Sequence, residues 1–302
     1  MKLAMIGLGK MGANMTERLL LGGHEVVAYD RWSPEAVATS VAKGAIGVAS
    51  LEALASTLGA PGQRIVWIMV PSGAPTQSTI DSLAVLLTAG DIVIDGGNSK
   101  YRDTQVRHAQ LGALGITLLD AGTSGGVWGL ANGYCLMIGG PNDSYARCEP
   151  IFATLAPEGG LIHVDEQSGS GHFVKMVHNG MEYAMMQSYA EGFEIIEKSP
   201  FNVDQAALAE TWMHGSVVRS WLLELLAGYL AKDPELSQLK AYVDDSGEGR
   251  WTVEAAIEYG APAPAIAAAL FARFASREDN AYGLRMLSAM RNAFGGHEVK
   301  KA

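Results

Sequence analysis

The hexapeptide Gly7-Leu8-Gly9-Lys10-Met11-Gly12 follows an apolar run at residues 3–6 and opens a helical pattern that continues to residue 21. The spacing G-x-G-x-x-G means little alone, but between a strand and a helix each glycine has a separate task. Gly7 allows the tight turn, Gly9 lets backbone approach a pyrophosphate, and Gly12 lets the helix pack closely on the strand. The helix N-terminus then presents unpaired N–H groups and a positive dipole end to the phosphates. A second strand pattern, residues 25–29, leads into Asp30, 18 positions beyond Gly12. A carboxylate there accepts hydrogen bonds from the ribose hydroxyls of NAD and repels the 2′-phosphate of NADP. Arg31 pulls the other way, because a guanidinium pairs with that phosphate or stacks on adenine. NAD is the expected cofactor and NADP the weaker alternative.

The rest of the first half repeats this alternation. Strand patterns fall at residues 65–70, 92–95 and 117–120, with a further pair at 133–138 and 161–164. Most of the early runs are unbroken and apolar, as expected of parallel strands buried on both faces. Helical patterns lie between them at 33–41, 50–55, 76–87 and 104–114; Ser33-Pro34-Glu35 is a start signal with proline at the first helical position. Alternating strand and helix implies an α/β, Rossmann-like doubly wound domain. In such a sheet ligands sit beyond the carboxyl ends of the strands. Three loops are expected there: Val70-Pro71-Ser72-Gly73, Asp95-Gly96-Gly97-Asn98-Ser99, and Asp120 to Gly126. Their hydroxyl, amide and glycine backbone groups suit a polyhydroxylated or anionic ligand.

The second half shows no convincing strand. A helical pattern runs from about residue 170 almost to 199, followed by others at 204–214, 217–230, 252–258, 263–275 and 280–293. The expected organisation is a dinucleotide-binding domain at 1–168 and an all-α C-terminal domain at 169–302, serving substrate binding and dimerisation. Two domains fit a chain of 302 residues.

Composition narrows the class. Hydrophobic residues make up 48% and charged residues 18%, which argues for a packed globular protein. A net charge of −10, spread evenly along the chain, speaks against nucleic-acid or polybasic membrane binding. Cys135 and Cys148 form neither a CxxC pair nor a metal-ligand spacing, so no metal site is expected and a reducing, cytoplasmic location fits. The apolar opening is too short for a signal peptide, and no window supplies the 18 or more apolar residues of a membrane span.

Within the long helical pattern, Lys175, His178, Asn179 and Glu182 stand at relative positions 0, 3, 4 and 7. At about 100° per residue these fall on one face, and Tyr183 extends it. A solvated face shows the same spacing, but this helix looks apolar elsewhere and follows Gly169-Ser170-Gly171. Lysine beside an acid suits oxidation of an alcohol. Lys175 can take the hydroxyl proton as hydride leaves to nicotinamide, which requires a neutral amine. Glu182 can return a proton later.

Together these residues resemble the 6-phosphogluconate dehydrogenase (decarboxylating) family, within the wider β-hydroxyacid dehydrogenase superfamily. The superfamily features are the glycine loop, Gly122-Thr-Ser-Gly-Gly126 and Gly171…Lys175…Asn179. The narrower likeness rests on Asp95-Gly-Gly-Asn-Ser99, Gly133-Tyr-Cys-Leu-Met-Ile-Gly-Gly140, Lys175 to Tyr183, and Arg291-Asn-Ala-Phe-Gly-Gly-His297. The resemblance implies oxidative decarboxylation of 6-phospho-D-gluconate to D-ribulose 5-phosphate and carbon dioxide, a reaction of the pentose phosphate pathway. It implies Lys175 as base and then acid, and Glu182 as the acid that protonates the enediol carbon. Asn98, Ser124, Gly125, Gly126, His178, Asn179 and Tyr183 would hold the sugar acid. Arg291 and His297 would reach its phosphate, in this family often from a neighbouring subunit, so a homo-oligomer, dimer or tetramer, is expected. The dinucleotide would touch Gly7, Leu8, Gly9, Lys10, Met11, Gly12, Asp30, Arg31, Val70, Pro71 and Asn98.

Two departures stand out. The usual Gly-Lys-Trp-Thr reads Gly249-Arg250-Trp251-Thr252, which keeps the cation and adds a fork suited to phosphate. Asp30 stands where NADP-using members tend to carry an uncharged residue. Arg277 would be a further phosphate contact, with Arg273 competing for that role. The chain is also short for the family, whose longer members carry an extra helical half. Two other readings stay open: a dehydrogenase of a smaller, unphosphorylated β-hydroxy acid, and a catalytically silent NAD-binding sensor.

Overall fold

A computed structural model of the chain describes residues 1–295, 298 and 300. The first half runs β1 (Lys2–Ile6), α1 (Lys10–Leu21), β2 (Glu25–Tyr29), α2 (Pro34–Ala42), β3 (Ile46–Gly47), α3 (Leu51–Thr57), β4 (Ile65–Ile68) and α4 (Ala74–Ala84). It continues with β5 (Ile92–Asp95), α5 (Tyr101–Gly112), β6 (Thr117–Ser124), α6 (Gly129–Asn132), β7 (Cys135–Gly139), α7 (Asn142–Leu155) and β8 (Leu161–Asp165). The second half holds α8 (Ser170–Glu197), α9 (Gln205–Trp212), α10 (Trp221–Leu230), α11 (Glu248–Glu258), α12 (Pro264–Ala275) and α13 (Tyr282–Gly295). No helix among the described residues is long and apolar enough to cross a membrane.

All eight strands form one sheet in the order β3-β2-β1-β4-β5-β6-β7-β8. Every neighbouring pair is parallel except β6 with β7. The central strands are apolar on both sides because both faces are covered. Met5, Trp67, Ile94 and Leu119 face one layer, where Trp67 meets Phe152 of α7 edge-on at 5.8 Å. Ala4, Val66, Ile68 and Val93 face the other, under α3 and α4.

The expected α/β domain followed by helices is present, with three differences in detail. β3 pairs only two residues with β2, too few to leave an apolar signature. α7 contains Pro150, which masks its helical pattern. The segment 120–124, expected as a loop, continues β6 because Asp120 to Ser124 pairs antiparallel with Cys135 to Gly139.

The chain separates into two compact units, Met1–His178 and Asn179–Ala302. The change falls inside α8, ten residues past the expected join at 168/169, because the first turns of α8 pack on the sheet. Gly180 and Gly192 do not break α8. The second unit has small separate cores, one around Phe193, Leu223 and Leu230 and another around Tyr183, Ala269 and Leu270.

Candidate active site

Four parallel strands end level, since Ile6 pairs with both Tyr29 and Ile68, and Ile68 with Asp95. The segments that follow them therefore gather at one sheet edge, and strand order reverses between β1 and β4. That is where open α/β sheets bind ligands. A cavity of about 540 Å³ lies there, lined by residues 7–12, Asp30, Val70, Pro71 and residues 96–98 among others. A second, of about 420 Å³, shares Gly7, Asp30 and Val70 and adds Arg31 and the polar face of α4.

The glycine turn is as tight as the backbone allows. Gly7 has φ +90°, and a Cβ on Gly12 would fall 2.0 Å from the Gly7 carbonyl oxygen. α1 then begins with no capping side chain and no acid in its first turn. By contrast, Ser33 caps α2 and Ser50 caps α3. A helix start left this way fits a phosphate. Asp30 accepts the Leu8 N–H at 2.7 Å, and the N–H groups of Trp32 and Ser33 at 2.9 Å each. Its carboxylate thus ties the glycine turn to the end of β2, while Oδ2, which accepts a single N–H, keeps acceptor capacity for a ribose hydroxyl. The residues present fit a dinucleotide.

The 96–99 segment is held from inside. Asp95 is fully buried and accepts from Gly97 N–H at 3.0 Å, Ser99 Oγ at 2.7 Å and Arg107 Nη1 at 3.5 Å. Asn98 sits in the left-handed region at φ +50°. Its side-chain amide pairs with the Thr123 backbone in both directions, at 3.0 and 2.9 Å. Much of the Asn98 amide is therefore spent on β6, with one N–H left for a ligand. Ser124 closes β6, and Gly125 and Gly126 turn the chain outward at its end.

α8 starts against β6 and β7. A Cβ on Gly122 would lie 2.6 Å from both Gly171 O and Lys175 Cβ, so only glycine admits the helix so closely. Asp120 accepts the N–H groups of Gly169 and His172 at 2.5 and 2.7 Å, capping α8 from a neighbouring strand. Burial holds the Asp120 carboxyl above the usual carboxylate range, against the opposing effect of His172 and these N–H donors. Lys175 is thereby fixed against β6 and is 4% exposed. Its Nζ lies 3.3 Å from Nδ1 of His178, which is half-buried.

In the second unit, α8 continues with Asn179 and Glu182, both half-buried, and with the buried Tyr183. The Tyr183 hydroxyl accepts the Ser246 N–H at 3.2 Å. Arg273 lies over its ring, 3.5 Å from the centroid. Arg250, at the start of α11, and Arg277, just beyond α12, both reach the carboxylate of Asp245. The structure thus joins Arg277 to Arg250 and commits Arg273 to Tyr183. Arg291 is exposed on α13. His297 lies outside the described residues.

Sequence reasoning missed Asp120 as a cap and Asp245 as an arginine partner. Asp120 was legible only as part of a glycine-rich stretch. The signal for Asp245 was the acid pair Asp244-Asp245 just ahead of Gly249-Arg250-Trp251-Thr252.

Two family models match the chain. One, described as the NAD binding domain of 6-phosphogluconate dehydrogenase, covers residues 2–164; the other, described as the 6-phosphogluconate dehydrogenase C-terminal domain, covers residues 171–283. The Bacillus subtilis protein YqeC is 43% identical over 301 residues, 100% of each chain. The NAD(+)-dependent, decarboxylating 6-phosphogluconate dehydrogenase of Haloferax volcanii is 42% identical, over 100% of this chain and 99% of that one. Among solved structures, Plasmodium falciparum 6-phosphogluconate dehydrogenase, studied with NADP+ and with 6-phosphogluconate, superposes with a TM-score of 0.83 at 27% identity, over 100% of this chain and 66% of that one. Mycobacterium tuberculosis 3-hydroxyisobutyrate dehydrogenase shares the fold, with a TM-score of 0.72 at 24% identity over 91% of this chain and 94% of that one.

Proposed function

The chain belongs to the 6-phosphogluconate dehydrogenase family, and from that premise we propose that it oxidises and decarboxylates 6-phospho-D-gluconate to D-ribulose 5-phosphate and carbon dioxide, using NAD. The observation that carries this is the full-length likeness to the NAD(+)-dependent decarboxylating enzyme of Haloferax volcanii. Asp30 at the end of β2 supports NAD as the preferred dinucleotide, with NADP as the alternative. Residues 1–168 are the nucleotide-binding part and residues 169–302 the substrate and dimerisation part.

A bound nicotinamide supplies the hydride acceptor. The chain's own residues supply the rest. Lys175 takes the proton of the C3 hydroxyl, which fits a lysine packed rigidly against β6. The 3-keto acid so formed carries a carbonyl β to its carboxylate, so carbon dioxide leaves with the bonding electrons moving into an enediol. Lys175, now an ammonium, steadies the oxygen on which that charge develops. Glu182, seven positions further along α8, protonates the enediol carbon. Asn98, Ser124, Gly125, Gly126, His178, Asn179 and Tyr183 hold the sugar acid. Arg250 and Arg277 take the phosphate, joined by Arg291 and His297 of a second copy.

The second unit's surface supports a homo-oligomer. Leu284, Leu287 and Met290 of α13 are each more than half exposed. Burying the part of each that is still exposed contributes about 1–2 kcal/mol, so a second copy is a favourable cover. The direct test follows reduced nicotinamide by its absorbance, with 6-phosphogluconate and either NAD or NADP. Turnover with NAD, faster than with NADP, is the expected result; no turnover with either removes the proposal.

A further inference from the structure

Asp245 has no part in the roles above, yet it sits at the centre of the cation cluster. Arg250 grips it with two donors, Nε to Oδ2 at 2.6 Å and Nη2 to Oδ1 at 3.0 Å. Arg277 donates from Nη2 to the same Oδ1 at 2.8 Å, and from Nε to the Arg273 carbonyl at 3.2 Å. Both guanidinium carbons lie over the ring of Phe274, at 4.4 and 5.1 Å from its centroid. Each fork is thus held at one edge by a carboxylate and on one face by an aromatic ring.

Burial shows which way this assembly faces. The Asp245 side chain is 2% exposed, against 22% for Arg277 and 50% for Arg250. The carboxylate lies beneath the guanidinium groups and does not stand in the place an incoming anion would take. It also separates two like charges that would otherwise push apart. Three arginines set against the carboxylates of Asp245 and of Glu254, which also acts on Arg250, leave one positive charge.

We propose that Asp245 is a positioning residue, whose carboxylate sets the forks of Arg250 and Arg277 as one preformed clamp for a terminal phosphate. This rests on the reading above that the substrate is phosphorylated. A free arginine side chain loses rotamer freedom when it is fixed. Asp245 and Phe274 impose that order before the substrate arrives, so less affinity is lost on binding.

Steady-state kinetics of the full chain, with inorganic phosphate as competitor against 6-phosphogluconate, tests this. In wild type, phosphate competes with the substrate. Asp245→Asn is expected to raise the KM for 6-phosphogluconate and the Ki for phosphate together, by about tenfold or more, since misplaced binding groups cost at least this much. The kcat and the KM for NAD stay within about threefold, the mark of lost uniform binding. Asp245→Glu keeps the charge and falls between wild type and Asp245→Asn. Asp245→Asn has a smaller effect in an Arg250→Lys background, where the fork is already gone. An unchanged or lower KM and Ki in Asp245→Asn overturns the role of Asp245 alone. A wild type indifferent to phosphate overturns the phosphate reading itself. If Asp245→Asn does not fold, Asp245→Glu decides: a KM and Ki raised above wild type support the role, and unchanged values reject it.

Discussion

The sheet edge of the first unit and the arginine cluster of the second are both suited to anions, but they are built differently. At the sheet edge the working groups are backbone: the Gly7–Gly12 turn, the uncapped start of α1, and the 96–99 segment latched by Asn98. In the second unit they are the ends of the long arginine side chains at positions 250, 273 and 277, with the short carboxylate of Asp245, brought together by two helices and a loop. The first construction has little freedom to lose and tolerates almost no added atoms. The second is held by charge pairs and aromatic faces and can adjust, at a cost paid in affinity.

That contrast is breakable. The largest effect is expected at Lys175, a side chain positioned by the backbone-built region. Lys175→Met should lower kcat by about 10³-fold, the range of general acid–base catalysis, with NAD binding by fluorescence titration unchanged. If turnover survives, Lys175 is not the base. Next comes Gly12→Ala. The added methyl meets the Gly7 carbonyl oxygen, so a loss of about 1–3 kcal/mol of stability is expected, read by denaturant melts and accompanied by weaker NAD binding. A neutral result would show that the glycine turn yields as readily as the arginine cluster.

Asp30→Ala should reduce the preference for NAD over NADP by about tenfold, because a charge-assisted hydrogen bond is worth about 1.5–3 kcal/mol. An unchanged ratio in parallel assays would mean that Asp30 serves only the turn. The smallest effect separates two carboxylates by pH. Arg250, as the chief cause, and Arg277 hold the Asp245 carboxyl at about 2, below its unfolded value. Its contribution is therefore present above about pH 4 and lost as pH falls toward about 2. Asp120 has the opposite sign: its raised value favours the folded state at low pH, and that contribution fades as pH rises through the raised value. The melting temperatures of wild type and Asp245→Asn should thus differ at neutral pH and converge in acid, whereas a constant gap would contradict the ion-pair account.

The same division governs what the sequence made legible. Strand and helix alternation, the glycine turn, Asp30 and the α8 polar positions are local patterns, and a local pattern is visible in a string of letters. β3 was too short to register, and Pro150 hid α7. The segment 120–124 looked like a loop because its glycine and polar residues suit turns; only pairing with β7 makes it strand. Arg273 and Arg277 are one helical turn apart and equivalent by periodicity. What separates them is Asp245, about 30 residues earlier, and no spacing rule connects such positions. The cap that Asp120 gives α8 spans 49 residues and was equally hidden.

The pairing of Asn98 with Thr123 has a dynamic consequence. The Thr123 amide hydrogen is held by a side chain, not by a neighbouring strand, on that bond. It can exchange with solvent deuterium only when Asn98 lets go, which requires the 96–99 segment to lift from β6. The exchange rate of this single amide therefore clocks the opening of the 96–99 segment. Slowing of that clock on addition of NAD would record the loop closing down, without any label placed near the site.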